Sequence, residues 1–157
     1  MKSWAIYIAA ALGFAMYGAM TTADRDGSGA IVGEGTLDAF HVQVGDCFDD
    51  TSFDEDEITS VPGVPCSDPH DNETFAVFDL GIDSFLEEED AMYELAYSSC
   101  MEHFESFVGN DYESSTLEIT TMYPSAQSWQ ENDREVVCAI YDMDANKLVG
   151  SAKGLGL

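Results

Sequence analysis

The sequence predicts an α+β domain, in which an antiparallel sheet of four to five strands carries one main helix on one face. The first observation is the order of the patterns: two segments of strand-like alternation, one long segment of helical periodicity, then three more strand-like segments. The second is a set of four cysteines distributed among these segments. The third is an apolar N-terminal segment of membrane-spanning length. Together they predict an anchor over 1–23, a linker over 24–36 and a domain over 37–153.

The composition is strongly acidic. The 157 residues include 31 Asp and Glu against 5 Lys and Arg, which gives a formal net charge of −26. Such a chain repels nucleic acid and other anionic polymers, and these are therefore excluded as partners. Two explanations of the acidity stay open: solubility in a salty medium rich in divalent ions, or attraction of cations or a basic partner.

The N-terminal segment from Ser3 to Ala23 contains no charged residue. Its length predicts a single transmembrane helix. Lys2 favours the cytoplasmic side, so the remaining chain is expected outside the cytoplasm as a single-pass cell-membrane protein. The alternative is a signal peptide cleaved after the small residues 21–23, which would make the domain secreted.

The segment 24–36 is rich in glycine and predicts a flexible linker. Asp24, Asp26 and Ser28 match the first half of a calcium loop, but Gly35 stands where that loop needs a bidentate glutamate. A calcium site is therefore not predicted here.

Alternation from Leu37 to Val44 predicts a strand that runs into Cys47. Residues 74–80 are apolar on both faces, which is typical of a strand inside a sheet. The loop between these strands is crowded with acids, which favours a solvated loop and leaves weak divalent cation binding open. These acids are Asp46, Asp49, Asp50, Asp54, Glu55, Asp56 and Glu57.

A capping box at Ser84 to Glu87 predicts that the main helix begins at Ser84. Gly109 predicts its end after Val108. The apolar residues at helical spacing, which predict the face packed on the sheet, are Met92, Leu95, Ala96, Cys100, Phe104, Phe107 and Val108.

Alternation predicts three further antiparallel strands, at 117–123, 135–141 and 147–152. Trp129 is expected to pack over the sheet edge, with a ligand-binding role as the alternative. Asn132 can adopt the positive φ of a turn. Arg134 lies among carboxylates and is predicted to form a structural ion pair, with a carbonyl as the other available partner.

Four cysteines in an exported domain predict two disulfides. We expect Cys47 to pair with Cys66, and Cys100 with Cys138, because these links join strand to loop end and helix to strand. The alternative is a zinc site made by Cys47, Cys66 and His70. No metal and no other cofactor is predicted.

No sequence pattern of a known catalytic site is present: the nucleophile elbow, the zinc-protease motif and the phosphate loop are all missing. A hydrolase that uses His70 with Asp68, Asp71 or Glu73 remains an alternative. The preferred hypothesis is a non-enzymatic binding domain, with His70, Glu73 and Trp129 as its candidate interaction residues.

Several short motifs, in this order and spacing, resemble the septum formation family of actinobacterial envelope proteins over about residues 37–153. They are Gly45-Asp46-Cys47-Phe48, Val64-Pro65-Cys66-Ser67-Asp68-Pro69-His70, Glu73-Thr74-Phe75-Ala76-Val77, Cys100 to Gly109, Pro124, Trp129, Asp133-Arg134 and Val137-Cys138. The resemblance implies one transmembrane helix and an extracytoplasmic domain. The partner expected for the binding domain is an envelope or cell-division protein, or a wall component. It implies no catalytic residues.

Overall fold

The computed structural model describes residues 21–50, 58–88 and 90–157. Within them the chain is α+β, as predicted. The strands are β1 Asp24–Arg25, β2 Ile31–Gly33, β3 Gly35–Asp38, β4 Cys47–Phe48, β5 Ser60–Val64, β6 Asn72–Asp79, β7 Leu117–Met122 and β8 Glu135–Asp142. The α-helices are α1 Ala91–Val108 and α2 Ala126–Gln130, and short 3-10 helices span Ala39–His41 and Tyr112–Ser114.

The main sheet is antiparallel and has six strands in the order β3-β5-β4-β6-β8-β7, so the predicted four to five was too few. The strand predicted over 37–44 is wrong. After β3 the Asp38 carboxylate accepts a hydrogen bond from the Phe40 N–H at 2.9 Å and starts the 3-10 turn Ala39–His41. The strand predicted over 147–152 is also wrong, because only an isolated bridge between His70 and Leu148 forms there.

The main helix begins at Ala91, not at the predicted Ser84. Phe85 lies against the Trp129 ring at a centroid distance of 6.0 Å, which holds the preceding segment out of the helix. The chain then turns at Asp90 with a left-handed φ of 65°. The predicted end is confirmed: Gly109 has a φ of 87°, and its N–H donates to the Glu105 carbonyl.

The sheet is buried on both faces by two apolar clusters. The cluster under α1 includes Phe75, Met92, Ala96, Phe104, Phe107, Val108, Leu117, Ile119, Val136 and Ile140. The cluster on the opposite face is smaller and includes Ala23, Ile31, Leu37, Val42, Phe48, Val61, Val137 and Ala139. Val136 and Val137 face opposite clusters, so β8 contributes core residues to both.

Both predicted disulfides are confirmed. Cys47 is bonded to Cys66, which ties β4 to the loop after β5, and Cys100 is bonded to Cys138, which ties α1 to β8. The zinc site that would need Cys47 and Cys66 as free thiolates is therefore not formed.

The flexible linker predicted over 24–36 is wrong, because strands β1 and β2 pair there. The Arg25 guanidinium donates two hydrogen bonds of 2.6 Å to the buried Asp46 carboxylate, in the bidentate geometry typical of strong ion pairs. Thr36 also pairs with the chain at 21–23. A Cβ at Gly35 would clash with the backbone of that segment, so glycine is required for this close approach. Residues 21–36 are thus part of the folded unit.

Residues 1–20 of the predicted anchor lie outside the described residues. In the part of the chain that is described, no helix has the length and apolar character needed to cross a membrane. Asp54, Glu55, Asp56 and Glu57 of the predicted acidic loop also lie outside the described residues.

Candidate functional site

The candidate site is a groove formed by two adjoining cavities of about 430 and 390 Å³. It lies between the 3-10 turn Ala39–His41 and the chain from Thr121 to Val137. Both cavities are lined by Phe40, Ser128, Asp133 and Glu135. These volumes fall within the range of ordinary ligand sites.

The first cavity is mainly apolar, and its lining includes Ile58, Phe85, Met122, Tyr123, Pro124 and Val137. Large side chains at its rim stay exposed: Phe40 by 51%, Ile58 by 43% and Tyr123 by 42%. Exposed apolar residues that cluster around a concavity, instead of standing singly, mark a binding surface.

The second cavity is acidic, and its lining includes Asp79, Glu131, Asp133 and Glu135. Asp79 lies directly opposite Glu135 in the pairing of β6 with β8, where like charges destabilise a sheet. Burial raises the pKa of Glu135, and the negative charges of Asp133 and Asp79 raise it further. His41 acts in the opposite direction. This end of the groove is therefore a site of unneutralised negative charge.

Arg134 does not neutralise these acids. Its guanidinium lies 3.5 Å from the centre of the Trp129 ring and donates to the carbonyls of Trp129, at 2.8 Å, and Asp133, at 2.6 Å. The predicted ion pair is wrong, since no carboxylate of the described residues lies within 4.0 Å of it. The predicted structural role is carried by carbonyl bonds and stacking. Trp129 is itself buried in the cluster under α1 and supports the groove from below.

Helix α2 and the turn after it hold the groove in shape. The N–H of Ser128 donates to the Ser125 hydroxyl, and the N–H of Ser125 donates to the Ser128 hydroxyl, each at 3.0 Å. Asp133 accepts from the Ser128 hydroxyl at 2.8 Å and from the Glu135 N–H at 3.0 Å. The turn needs the positive φ of 73° at Asn132, as the sequence predicted. These bonds fix the groove lining before any ligand arrives.

Strand β7 is an edge strand of the sheet. Successive N–H groups of a strand point to alternate sides. On the outer side, the Leu117 N–H donates to the Ser115 hydroxyl and the Ile119 N–H to the Glu118 carboxylate. The next outward N–H belongs to Thr121, which lines the first cavity. The edge is thus capped by side chains up to the point where the groove begins.

A family model for septum formation matches residues 32–138, more than half of the chain. The chain belongs to the septum formation family. This confirms the resemblance seen in the sequence, and the matched range includes every residue that lines the two cavities. No curated protein and no solved structure matches the chain significantly.

In this septum formation domain, His70 and Glu73 are fully buried and line neither cavity. The Glu73 carboxylate accepts hydrogen bonds from the Ser151 hydroxyl and the Ala152 N–H. One His70 ring nitrogen, Nδ1, lies 2.8 Å from the Asp68 carbonyl, and Nε2 has no hydrogen-bond partner among the described residues. These two residues hold the C-terminal segment against the sheet and do not face a ligand.

Several acids of the predicted loop already have ion-pair or hydrogen-bond partners within the septum formation domain. Lys147 Nζ lies 2.8 Å from Asp49 and 2.9 Å from Asp71. The Asn72 amide donates to Asp50 at 2.7 Å. Burial raises the pKa of Asp71, but the hydrogen bonds from Lys147 and from the Asp50 N–H, together with the positive charge of Lys147, lower it overall. Charges that are paired in this way are less available to a divalent cation.

Sequence reasoning about the septum formation domain missed Phe40, Asp79 and Glu135 as site residues. Phe40 lies in a segment whose alternation predicts a strand, and the register that sets Asp79 against Glu135 joins positions 56 residues apart. One local signal was available: Glu135 and Val137 alternate along β8, which places an acid beside an apolar residue on one face.

Proposed function

We propose that this septum formation domain is a non-enzymatic interaction module of the cell envelope, which binds another envelope or division protein during septum formation. Membership of the family supports the role in cell division. The observation that carries the proposal is the groove, in which exposed Phe40 and Tyr123 stand beside unneutralised acids. A preformed concave site with an apolar centre and a polar end is typical of a binding domain.

The proposed place of the domain is outside the cytoplasm, held in the membrane by the N-terminal segment that precedes Thr21, since residues 21–23 of the predicted anchor pair with Thr36 in the folded unit. The two disulfides support an oxidising compartment. The charge asymmetry at the N-terminus, with Lys2 before an uncharged segment, supports the orientation.

The burial of His70 and Glu73 favours binding over the hydrolase alternative. A general base must come within hydrogen-bond reach of its substrate or of a water molecule that it activates. Both side chains are fully buried, and both Glu73 oxygens already accept hydrogen bonds from Ser151 and Ala152. Asp71, which the hydrolase hypothesis also used, is paired with Lys147.

The test is complementation of a strain that lacks the gene, with septum spacing and cell length as readouts. A full-length Phe40→Ser/Tyr123→Ser variant should fail to restore septation while it accumulates at the normal level. The matched control is Met143→Ser/Leu155→Ser, which changes two apolar residues outside the groove that are even more exposed, and it should complement fully. Full complementation by the groove variant, or equal failure of both variants, would contradict the proposal.

A further inference from the structure

The occupant of the groove can be inferred from charge and shape together. We infer that the groove binds an extended polypeptide segment in which basic and apolar side chains alternate on one face, the basic ones against Asp79 and Glu135 and the apolar ones against Phe40 and Met122. This inference rests on the proposed function and adds the chemistry of the partner.

The basic character of the partner follows from the acidic cavity. Asp133 is occupied by Ser128 and the Glu135 N–H. The carboxylates of Asp79 and Glu135 have no hydrogen-bond or ion-pair partner among the described residues, although they stand opposite each other in the sheet. A lysine or arginine between them would convert a cross-strand repulsion into two attractive pairs.

The apolar character follows from the adjoining cavity, which is continuous with the acidic one at Phe40 and Glu135. Glu135 and Val137 are two residues apart on β8 and both line the first cavity. An extended segment repeats its side-chain direction every two residues, so a basic and an apolar side chain two positions apart match this spacing. A small cation would leave the apolar cavity uncovered.

The extended form of the partner follows from the spacing of Glu135 and Val137 on β8. Side chains two positions apart point to the same side in an extended segment, and not in a helix.

The net charge of −26 excludes the main competing occupant, an anionic surface. Anionic lipid headgroups and anionic polymers would be repelled both by the whole chain and by the groove. Arg134, the basic residue that lines the groove, is stacked on Trp129 and donates its hydrogen bonds to carbonyls. The same negative electrostatic potential attracts a basic segment of a protein.

The experiment measures binding of three blocked, fluorescent peptides to the full chain in neutral detergent micelles by fluorescence anisotropy. The first peptide carries Lys, Leu and Phe at alternate positions, with Ser between them. The second has Glu in place of Lys, and the third has Ser in place of Leu and Phe. The protein variants are Asp79→Asn/Glu135→Gln in the groove and Glu102→Gln/Glu105→Gln on the exposed surface of α1, which remove the same number of charges.

The inference expects the first peptide to bind well above the other two. The Asp79→Asn/Glu135→Gln variant should weaken it by about fivefold or more, and added salt should weaken it too. The Glu102→Gln/Glu105→Gln control should change the affinity less than about twofold. Equal weakening by both variants, preference for the acidic peptide, or no binding of the first peptide would overturn the inference. If complementation by the Phe40→Ser/Tyr123→Ser variant still fails in that case, the proposed function stands and the chemistry of the occupant is wrong.

Discussion

Asp79 and Glu135 lie directly opposite each other on β6 and β8, and no lysine or arginine of the described residues pairs with either. A like-charged pair at this position reduces the stability of the free protein. It is kept beside an apolar cavity with an exposed rim. This is the relationship on which the functional account depends.

Replacing Glu135 with Gln should therefore stabilise the domain at neutral pH, by about 0.5 kcal/mol. Because the pKa of Glu135 is raised in the folded state, that state binds the proton more tightly than the unfolded chain. Wild-type stability then falls as pH rises from the unfolded value of 4.5 through the raised folded value. The extra stability of the Gln variant should therefore vanish below that pH window. Urea unfolding of both proteins at several pH values measures it. Glu102→Gln is the exposed control, and a Gln variant less stable than wild type at neutral pH would contradict the account.

Replacing Arg134 with Lys should lower the free energy of unfolding by about 1 to 2 kcal/mol. Lysine keeps the charge but loses the planar stack on Trp129 and the fork that reaches two carbonyls. Thermal unfolding measures the change, with Lys153→Arg as a control at an exposed site. An unchanged melt together with lost peptide binding would instead place Arg134 in the recognition site.

Replacing Arg25 with Gln should loosen the N-terminal end of the domain selectively. Asp46, whose side chain is 4% exposed, would lose its bidentate partner and keep only the Gln43 N–H. We expect a loss of about 2 kcal/mol and faster amide exchange over 21–33, while α1 exchanges as before. The Arg25→Lys variant retains the charge, so its stability should lie between those of the wild type and the Arg25→Gln variant. If amide exchange instead became faster by the same factor across the whole chain, residues 21–33 would not open independently of the rest of the domain.

Removing the disulfides should destabilise the domain in order of loop length. The cysteines are 38 residues apart in the Cys100–Cys138 bridge and 19 apart in the Cys47–Cys66 bridge. Chain entropy then predicts losses of about 4 and about 3 kcal/mol for the paired Cys→Ala variants. Denaturant unfolding measures both, and non-reducing peptide mapping of the native chain verifies the pairing. A larger loss for the shorter loop would contradict the entropic explanation.

The elements that the sequence predicted well are those with a signal contained in one segment. The core face of α1, its end at Gly109 and the strands β6 and β8 follow from periodicity and capping within a few turns of chain. The disulfides follow from the compartment and from which elements each pairing would join.

The failures have a common cause, since each depended on a contact with a distant part of the chain. The capping box at Ser84 is a valid local signal, but the packing of Phe85 on Trp129 overrides it. The glycine-rich segment 24–36 looked flexible because its Arg25 finds Asp46 only after folding. The acidic pair in the groove depends on the register of β6 and β8 in the same way.

The most direct test of the central claim is to map where the basic–apolar peptide binds. Its titration into the isotope-labelled full chain in neutral micelles, followed by heteronuclear NMR, should shift amide signals at 39–41, 121–123 and 133–137. The exposed turn around Met143 and the outer face of α1 should stay unchanged. Shifts spread over the acidic surface, or centred on that turn or helix, would show that the groove is not the binding site.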